Sequence, residues 1–557
     1  MGAGAVCSRC VLDWYGGARL SLCGEKVGDI TAPRFQGDKP LGRSTFQGGG
    51  KSRPYPIRLG AAVVLEAKSI FSQLLRMFKG GKTMQKLFVT SKSCWRSYTL
   101  RIVCALTLLG VLAVLVIRTP GSAAFANTVD WPTFLGSNTR TGFNGAETVI
   151  NPSTAHNLKK HWSRAITAAI SSEPIVANGM LYWGSWNGNE HASSLTDGHD
   201  IWNVNLGTSV VPCDQKQFGV TGASTIATVT IGGVQTKVDF VAGGNSNFYA
   251  LNANTGAVIW HTPLGATNSF LFGSPAVFNG SVYIGIASLG DCPLVQGKLF
   301  KLQATTGKIQ HTFNVVPSGC LGGALWGSPA IDSATNIIYF GTGNGGSCST
   351  TETMTEAVIA LHTSDLSLVG SWQIPKAQES KDGDFGSTPT FFRATIKGVQ
   401  HNMLGLINKN GIYYALDRAN ISSGPLWHVR LAAPSSGKIN NISSSTWNNT
   451  TLYAVGAQTT INGTTCVGSL RALNPASGAF LWQDCLNKLP LDPAITVPGL
   501  VVVGFGNTFN VDNASNGKVL FTFQDTNTNS KFQGAATIVN GVLYQGNNDG
   551  MLYAFGM

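Results

Sequence analysis

The residues after position 170 repeat one four-part unit, and this repeat constrains the fold more than any other feature of the chain. Its period is roughly 45–55 residues, which is the range of propeller blades. The unit opens with a short strand that often carries Ser-Pro, as at Gly273-Ser-Pro-Ala-Val and Gly327-Ser-Pro-Ala-Ile. A second strand follows a turn, and the third reads like Tyr249-Ala-Leu-Asn. A single four-stranded sheet cannot bury both of its faces, so such units must stack around an axis.

Glycines and tryptophans recur at fixed places in the units. A glycine closes the turn before the fourth strand, where the backbone needs positive φ: Gly256, Gly307, Gly478 and Gly517. The fourth strand often contains a tryptophan: Trp202, Trp260, Trp372, Trp427 and Trp482. We expect each tryptophan to fill the gap to the neighbouring blade.

The count of units predicts how the ring closes. Seven full units run from residue 171 to 525, and a partial eighth from 533 to 557 lacks its fourth strand. A fourth-strand sequence lies upstream, at Leu158-Lys-Lys-His-Trp162-Ser-Arg-Ala. The sequence therefore predicts an all-β, eight-bladed β-propeller of four-stranded antiparallel blades over residues 127–557, whose last blade is closed by this N-terminal strand. Closure removes an exposed sheet edge and places Trp162 beside Tyr553.

The N-terminal part of the chain has the features of an export signal. Ile102 to Ile117 carries no charge, basic residues precede it, and Ala124-Phe-Ala126 supplies a small-residue cleavage pattern. Residues 84–126 are therefore interpreted as a signal peptide or a retained N-terminal membrane anchor. Residues 1–83 are a disordered extension or the product of a mis-assigned start codon. Both interpretations predict an extracytoplasmic, bacterial protein that is either secreted or anchored to the membrane.

Charge argues against a nucleic-acid partner. Of the 39 basic and 27 acidic residues, residues 1–126 carry 18 and 5, which leaves 21 and 22 for the predicted propeller. The basic excess thus belongs to the leader, and the propeller lacks the positive field that phosphate backbones require.

Six cysteines follow residue 126, and an even number in an exported domain predicts disulfides. Cys466 and Cys485 flank one hairpin turn, and Cys292 and Cys320 flank another. We therefore expect these two pairs to be bonded, with Cys213 and Cys348 as a third pair across the face of the propeller.

The repeat resembles the pyrroloquinoline quinone (PQQ) repeat of the quinoprotein alcohol dehydrogenase-like propellers, over about residues 130–557. Asp130-Trp-Pro-Thr-Phe-Leu-Gly is also similar to the N-terminal segment of that superfamily. The same blades occur in catalytic dehydrogenases and in outer-membrane assembly scaffolds, so the fold alone does not decide the activity.

Two residues are implied by this resemblance to bind the cofactor. Gly323-Ala-Leu-Trp326-Gly-Ser-Pro is similar to the family segment whose tryptophan lies under the flat quinone. Asn408-Lys409-Asn-Gly is similar to the strand pair whose basic residue contacts the quinone oxygens, and a lysine suits an anionic tricarboxylate. The structural alternatives are strand packing for Trp326 and a surface hairpin for Lys409.

Two further residues are implied to bind calcium. Tyr339-Phe-Gly-Thr-Gly-Asn344 is similar to the segment whose asparagine is a calcium ligand, and an amide oxygen suits this hard cation. Asp291 lies where the family carries a glutamate ligand. The alternative for Asn344 is an ordinary turn.

The implied catalytic residues are Asp382 and Asp384, in Asp382-Gly-Asp384-Phe-Gly-Ser-Thr-Pro. The chemistry needs a carboxylate to accept the alcohol proton as hydride passes to the quinone. Asp384 is the preferred base, and Asp382 shares the base and ligand roles. A solvated acidic loop is the alternative.

Departures from the family pattern keep two functions open. Val210-Val-Pro-Cys213 has one cysteine where catalytic members often carry two adjacent ones, and no Cys-x-x-Cys-His follows residue 126. One hypothesis is a non-catalytic propeller that binds a cell-envelope protein or a polysaccharide. The other is a PQQ- and Ca²⁺-dependent dehydrogenase of small or polymeric alcohols, which needs a separate electron acceptor.

Overall fold

The computed structural model describes residues 129–348, 352–435, 437 and 439–557. The predicted extension over residues 1–83 and the leader over residues 84–126 lie outside these residues. No helix among the described residues is long and apolar enough to cross a lipid bilayer.

The described residues form eight blades of four antiparallel strands, as the repeat predicts. The first strands of neighbouring blades contact one another, so they lie nearest the axis. The first strands of blades 1 to 8 are Ile175–Ala177, Thr225–Ile231, Ala276–Phe278, Ala330–Asp332, Thr390–Ile396, Thr446–Trp447, Ile495–Val497 and Thr537–Val539. The second strands are Met180–Gly184, Val234–Ala242, Ser281–Ser288, Ile337–Gly341, Val399–Ile407, Leu452–Gly456, Leu500–Phe505 and Val542–Gly546.

The third and fourth strands complete each blade toward its outer edge. The third strands are Asn189–Ser194, Asn247–Asn252, Lys298–Gln303, Ala357–His362, Ile412–Asp417, Gly468–Leu473, Thr508–Asn513 and Met551–Gly556. The fourth strands are Asp200–Asn205, Val258–Pro263, Ile309–Asn314, Leu368–Gln373, Pro425–Arg430, Phe480–Leu486, Val519–Gln524 and, for blade 8, Lys159–Ala165.

A few short elements join the blades. Ser209–Val210 pairs with Gln217–Phe218, Thr459–Ile461 pairs with Thr464–Cys466, and Ser269–Phe270 adds to the second strand of blade 3. The 3₁₀ turns are Phe134–Gly136, Ala155–Asn157, Lys376–Gln378 and Ile421–Ser423.

The N-terminal strand closes the ring as predicted. Trp162 pairs with Ala554 and Ser163 with Tyr553 in the last blade. The Trp162 indole donates a hydrogen bond of 3.1 Å to the carbonyl of Leu195 in blade 1. Blade 8 is therefore bonded to its neighbour in the way that the other blades are.

The tryptophans fill the gaps between blades, which confirms their expected role. Four of the five indole N–H groups donate to a carbonyl in the turn before the fourth strand of the next blade: Trp202 to Ala253, Trp260 to Ala304, Trp427 to Pro475 and Trp482 to Ala514. A side chain on Gly256 would lie 2.7 Å from the indole of Trp202, and one on Gly307 would lie 2.4 Å from the indole of Trp260. These glycines are thus required for the close approach of the ring as well as for positive φ.

Residues 129–147, called here the axial segment, contact all eight blades in turn. Its hydrogen bonds to the first strands join Trp131 to Val176, Pro132 to Ile226, Asn138 to Val277 and Ile331, Thr139 to Phe391, Thr141 to Trp447, Gly142 to Thr496 and Asn144 to Ile538. The inner strands would otherwise present unpaired amides and carbonyls to the axis. The axial segment satisfies them.

Two charged residues hold the axial segment in place. Arg140 is fully buried and donates to the carbonyls of Pro275 and Pro329 from two adjacent blades. Glu173 accepts from the Trp131 indole at 2.8 Å and from the Leu135 amide at 2.7 Å. Burial lowers the pKa of Arg140 to about 9 and raises that of Glu173 to about 8. The opposite charges of the two residues attract, so each residue partly offsets the pKa shift that burial causes in the other.

The Ser-Pro positions form a belt around part of the ring. Ser274 accepts from the amide of Ala223, Ser328 from that of Ser274, Thr388 from that of Ser328 and Ser444 from that of Thr388. The hydroxyls thus link blades 2 to 6 in sequence, which explains why the motif repeats.

Two of the three expected disulfides are wrong. Cys466–Cys485 is formed, but Cys320 bonds to Cys348 and not to Cys292, and Cys213 and Cys292 are free thiols. The error came from assigning Cys320 to a hairpin. It lies beyond the fourth strand of blade 3, in a connection that packs on the long loop of blade 4.

We predict that Arg140→Ala lowers the free energy of unfolding by about 3–5 kcal/mol, because several buried carbonyls lose their charged donor. Urea unfolding of the purified protein measures this. Arg393→Ala, an exposed arginine on the first strand of blade 5, is the control and should cost about 0.5 kcal/mol or less. Equal effects of the two substitutions would show that Arg140 does not anchor the ring.

Candidate functional site

The six residues singled out from the sequence lie on one face of the propeller. In antiparallel blades, the connection from the fourth strand to the next blade and the connection from second to third strand emerge at the same end. We call this end the upper face. Trp326 and Asp384 lie in connections of the first kind, and Asn344, Asp291 and Lys409 in connections of the second kind.

Lys409 is the centre of the cluster. Its Nζ lies 2.7 Å from Oδ2 of Asp384 and 2.8 Å from Oδ1 of Asp382. The side chain of Lys409 is 8% exposed and that of Asp384 is 6% exposed, so this ion pair is shielded from water. Burial by itself lowers the pKa of Lys409, but the two carboxylates raise it above its usual value.

Asp384 is held by the loops on both sides of it. Its Oδ1 accepts from the backbone amide of Asn344 at 2.7 Å, and its carbonyl accepts from the amide of Lys409 at 3.0 Å. Gly343 permits this approach, since a side chain there would lie 2.8 Å from Oδ1 of Asp384. Burial pushes the pKa of Asp384 upward, whereas Lys409 and the Asn344 amide favour the carboxylate.

Trp326 lies against the same lysine. The Lys409 ammonium is 5.1 Å from the centroid of the indole ring, within the range of a cation–π contact. A side chain on Gly386 would lie 2.1 Å from the indole, so that glycine is required for the tryptophan's position. The structure thus brings Trp326, Asn344, Asp382, Asp384 and Lys409 together.

Asp291 lies at the exposed rim of these loops. Its crowded surroundings raise its pKa, and the carboxylates of Asp384 and Asp382 add to this by repulsion while Lys409 opposes it. Asp291 is therefore near enough to interact electrostatically with the cluster. The free thiols Cys213 and Cys292 lie beside one another next to it, and their hydrogen bond raises the pKa of the Cys292 thiol.

The Cys320–Cys348 disulfide covalently links two loops of the site. It joins the connection that carries Trp326 to the loop that carries Asn344, with Cα atoms 5.6 Å apart. The backbone pairs there too, since the amide of Gly323 donates to the carbonyl of Asn344 at 2.9 Å. The bond that the sequence mispaired thus stabilises the predicted site.

Glu356 is an acidic residue of the site that sequence reasoning missed. A side chain on Gly383, between Asp382 and Asp384, would overlap its carboxyl group. Burial raises the pKa of Glu356 to about 7, with further repulsion from Glu379, Asp384 and Asp382. Its Oε2 has no hydrogen-bond partner among the described residues. The only sequence signal was an acid directly before the third strand of blade 4.

The site therefore holds more acids than bases. Lys409 forms ion pairs with Asp382 and Asp384 and attracts Asp291, whereas Glu356 is repelled by both aspartates. Carboxylate and amide oxygens are the ligands that hard divalent cations prefer. The orphaned oxygen of Glu356 and this excess of negative charge fit such a cation, and with it in place Lys409 and Trp326 fit a flat, anionic ligand.

We predict that Lys409→Met lowers the free energy of unfolding by about 3 kcal/mol at pH 8, because Asp384 is left as a buried, unpaired carboxylate. At pH 5 the loss shrinks. Without the ammonium, burial holds the pKa of Asp384 in the folded variant above its value in the unfolded chain. The variant therefore loses stability as the pH rises from the unfolded-state pKa to the folded-state pKa. Urea unfolding at both pH values measures this.

The exposed Lys376→Met is the matched control, and it should change stability little at either pH. A loss in Lys409→Met that is the same at pH 5 and pH 8 would contradict the buried ion pair.

Comparison with known proteins points to one group. The family described as outer membrane protein assembly factor BamB matches residues 188–352. Quinohemoprotein alcohol dehydrogenase of Comamonas testosteroni is 26% identical over 333 residues, which are 53% of this chain and 46% of that protein. Polyvinylalcohol dehydrogenase of Sphingopyxis sp. (strain 113P3) is 25% identical over 319 residues, 49% of this chain and 46% of that protein. The chain thus spans about half the length of the curated relatives that it matches.

Solved structures agree on the fold. The crystal structure of the Comamonas testosteroni quinohemoprotein alcohol dehydrogenase superposes with a TM-score of 0.63 at 17% identity, covering 79% of this chain and 82% of that one. A europium-containing methanol dehydrogenase gives 0.60 at 15% identity, covering 77% and 98%. The chain is thus similar in sequence to PQQ-repeat, quinoprotein alcohol dehydrogenase-like proteins, and it shares the β-propeller fold of the quinoprotein dehydrogenases.

Proposed function

We propose that this protein is an extracytoplasmic dehydrogenase that oxidises alcohols with PQQ and a divalent cation bound at the upper face. The observation that carries the proposal is the contact of Lys409 with Asp384, Asp382 and Trp326. Four side chains from three connections of blades 3 to 5 converge there, although no packing requirement of the blades demands an acid–base cluster. The curated relatives named above, an alcohol dehydrogenase and a polyvinylalcohol dehydrogenase, support the same reaction class.

Each residue has a role that follows from its position. Trp326 offers a flat surface and Lys409 a cation, so together they would hold the quinone. Asn344, Asp291 and Glu356 would supply oxygens to the cation. When bound, PQQ supplies the oxidising power, because it accepts the hydride that the alcohol carbon releases.

The chain's own contribution to the reaction is proton transfer. The buried ammonium of Lys409 keeps Asp384 in its ionised form, and this form accepts the hydroxyl proton of the alcohol. Asp382 shares the ammonium at 2.8 Å, so it sets the position of Lys409. The electrons leave to a separate acceptor.

A cleft beside the cluster gives the substrate a place to bind. It has a volume of about 300 Å³ and is lined by Gln378, Glu379, Lys381, Asn410, Arg430 and Ser435 among others. Asn410 follows Lys409 directly, and its side chain donates to the carbonyl of Gln378 at 2.9 Å. A polar, open cleft suits a small alcohol or a segment of a hydroxyl-bearing polymer.

A second candidate function is a binding propeller in the cell envelope. The family match over residues 188–352 is to an outer membrane assembly factor. Cys213 also has no cysteine next to it in the sequence, where catalytic members often carry two adjacent ones. In this case the acidic upper face would be a docking surface for a protein or polysaccharide.

We predict that the purified protein with Ca²⁺ changes the absorbance of added PQQ and reduces an electron-acceptor dye when alcohols are supplied. Asp384→Asn should still bind PQQ, but its dye reduction should fall by about 10²–10⁴-fold, because the base is lost. Asp365→Asn, an exposed acid at the opposite end of blade 4, is the matched control and should keep full activity.

Full activity of Asp384→Asn would overturn its assignment as the base. The absence of any absorbance change at saturating PQQ and Ca²⁺ would favour the binding propeller.

A further inference from the structure

Two buried carboxyl groups lie at the interface of blades 1 and 2, outside blades 3 to 5. Glu190 lies on the third strand of blade 1, and Asp239 on the second strand of blade 2. Both are 0% exposed, and Ser224, just before the first strand of blade 2, is 1% exposed. The Ser224 hydroxyl is near enough to both carboxyls to lower the pKa of each.

Glu190 occupies a position that carries no other acid and is apolar in several other blades. It pairs with the last residue of its second strand, Gly184. The residues with the same pairing elsewhere include Phe248, Val358 and Leu552, all fully buried. A carboxylate at this blade interface, opposite a second one, is therefore a departure from the packing rule of the repeat.

Neither carboxyl is compensated by the protein. None of their four oxygens, nor the Ser224 hydroxyl, has a hydrogen bond of normal geometry to another described residue. No lysine, arginine or histidine in the described part of the chain forms an ion pair with either. Burial and the repulsion from Asp239 raise the pKa of Glu190 well above its usual value, and burial raises that of Asp239 to about 7.

Uncompensated buried charge is costly, so the pair requires either protons or a cation. Some other buried acids of the chain have donors, although Asp512 does not. Glu173 accepts from Trp131 and Leu135, and Asp492 accepts from Gln545. The pair instead offers four carboxylate oxygens and one hydroxyl oxygen, which are ligands that a hard cation prefers, and its two carboxylates balance two positive charges.

We propose that Glu190, Asp239 and Ser224 bind a calcium ion between blades 1 and 2, separate from the upper face. The ion replaces the missing donors and joins two neighbouring blades. The Tyr182 hydroxyl is near both carboxyls, whose charges raise its pKa further after burial, and it donates to the carbonyl of Ala253 across the same interface. The site is structural in consequence, because it lies within the blade interface.

Metal binding to the full-length protein tests the proposal. After treatment with a chelator, Ca²⁺ should raise the melting temperature by several degrees, since it binds only the folded state. Terbium, which replaces calcium, should give luminescence sensitised by Tyr182. The double variant Glu190→Gln/Asp239→Asn should lose one bound calcium per chain and the sensitised terbium signal.

Two controls separate this site from others. Asp512→Asn changes a buried, unpartnered carboxyl on blade 7 and should leave the calcium response intact. Asp384→Asn changes the upper face and should leave the terbium signal at blades 1 and 2 intact. If the double variant does not fold, hydrogen exchange of the wild type decides, because calcium should protect Asn189–Ser194 and Val234–Ala242 selectively.

A wild type whose melting temperature is unchanged by calcium and falls as pH rises from 5 to 8 would overturn the proposal. That result would mean that protons neutralise the pair. Retention of every bound calcium by a folded double variant would also overturn it.

Discussion

Eight innermost strands meet at the axis, and the backbone groups on their inner edges must find hydrogen-bond partners there. The axial segment supplies them, with contacts that run from Trp131 in blade 1 to Asn144 in blade 8. Arg140 adds a fully buried charge that reaches the carbonyls of two adjacent blades. One short segment near the start of the propeller therefore satisfies a requirement set by the whole ring. The strand that closes blade 8 follows directly after it, so closure and axial packing depend on the same stretch of chain.

Ring closure in turn determines what the upper face contains. Because the blades are antiparallel, the long connections of blades 3 to 5 emerge at one end and bring acids from three loops to the region of Lys409. The disulfide between Cys320 and Cys348 and the glycines at positions 343 and 386 hold these loops close. The blades provide the frame, and the chemistry resides in loops that the repeat leaves free to vary.

Negative charge is handled differently in three parts of the molecule. At the axis, Glu173 is satisfied by the Trp131 indole and a backbone amide. At the upper face, one lysine is shared by two aspartates. Between blades 1 and 2, Glu190 and Asp239 face the same interface and have no donor from the described residues. In a chain with few charged residues, each buried charge stands out against an otherwise apolar and hydrogen-bonded interior.

The repeat by itself determined the fold class, the number of blades and the closing strand. These follow from local patterns, namely alternating strands and turn glycines in the units and a tryptophan in most fourth strands. It also indicated Trp326, Asn344, Asp384 and Lys409, because these residues lie in segments that resemble known ones. It did not indicate Glu356, the partner of Cys320 or the pairing of Glu190 with Asp239. Those depend on which loops and strands of different blades come into contact, and such contacts between residues far apart in sequence are decided only when the ring closes.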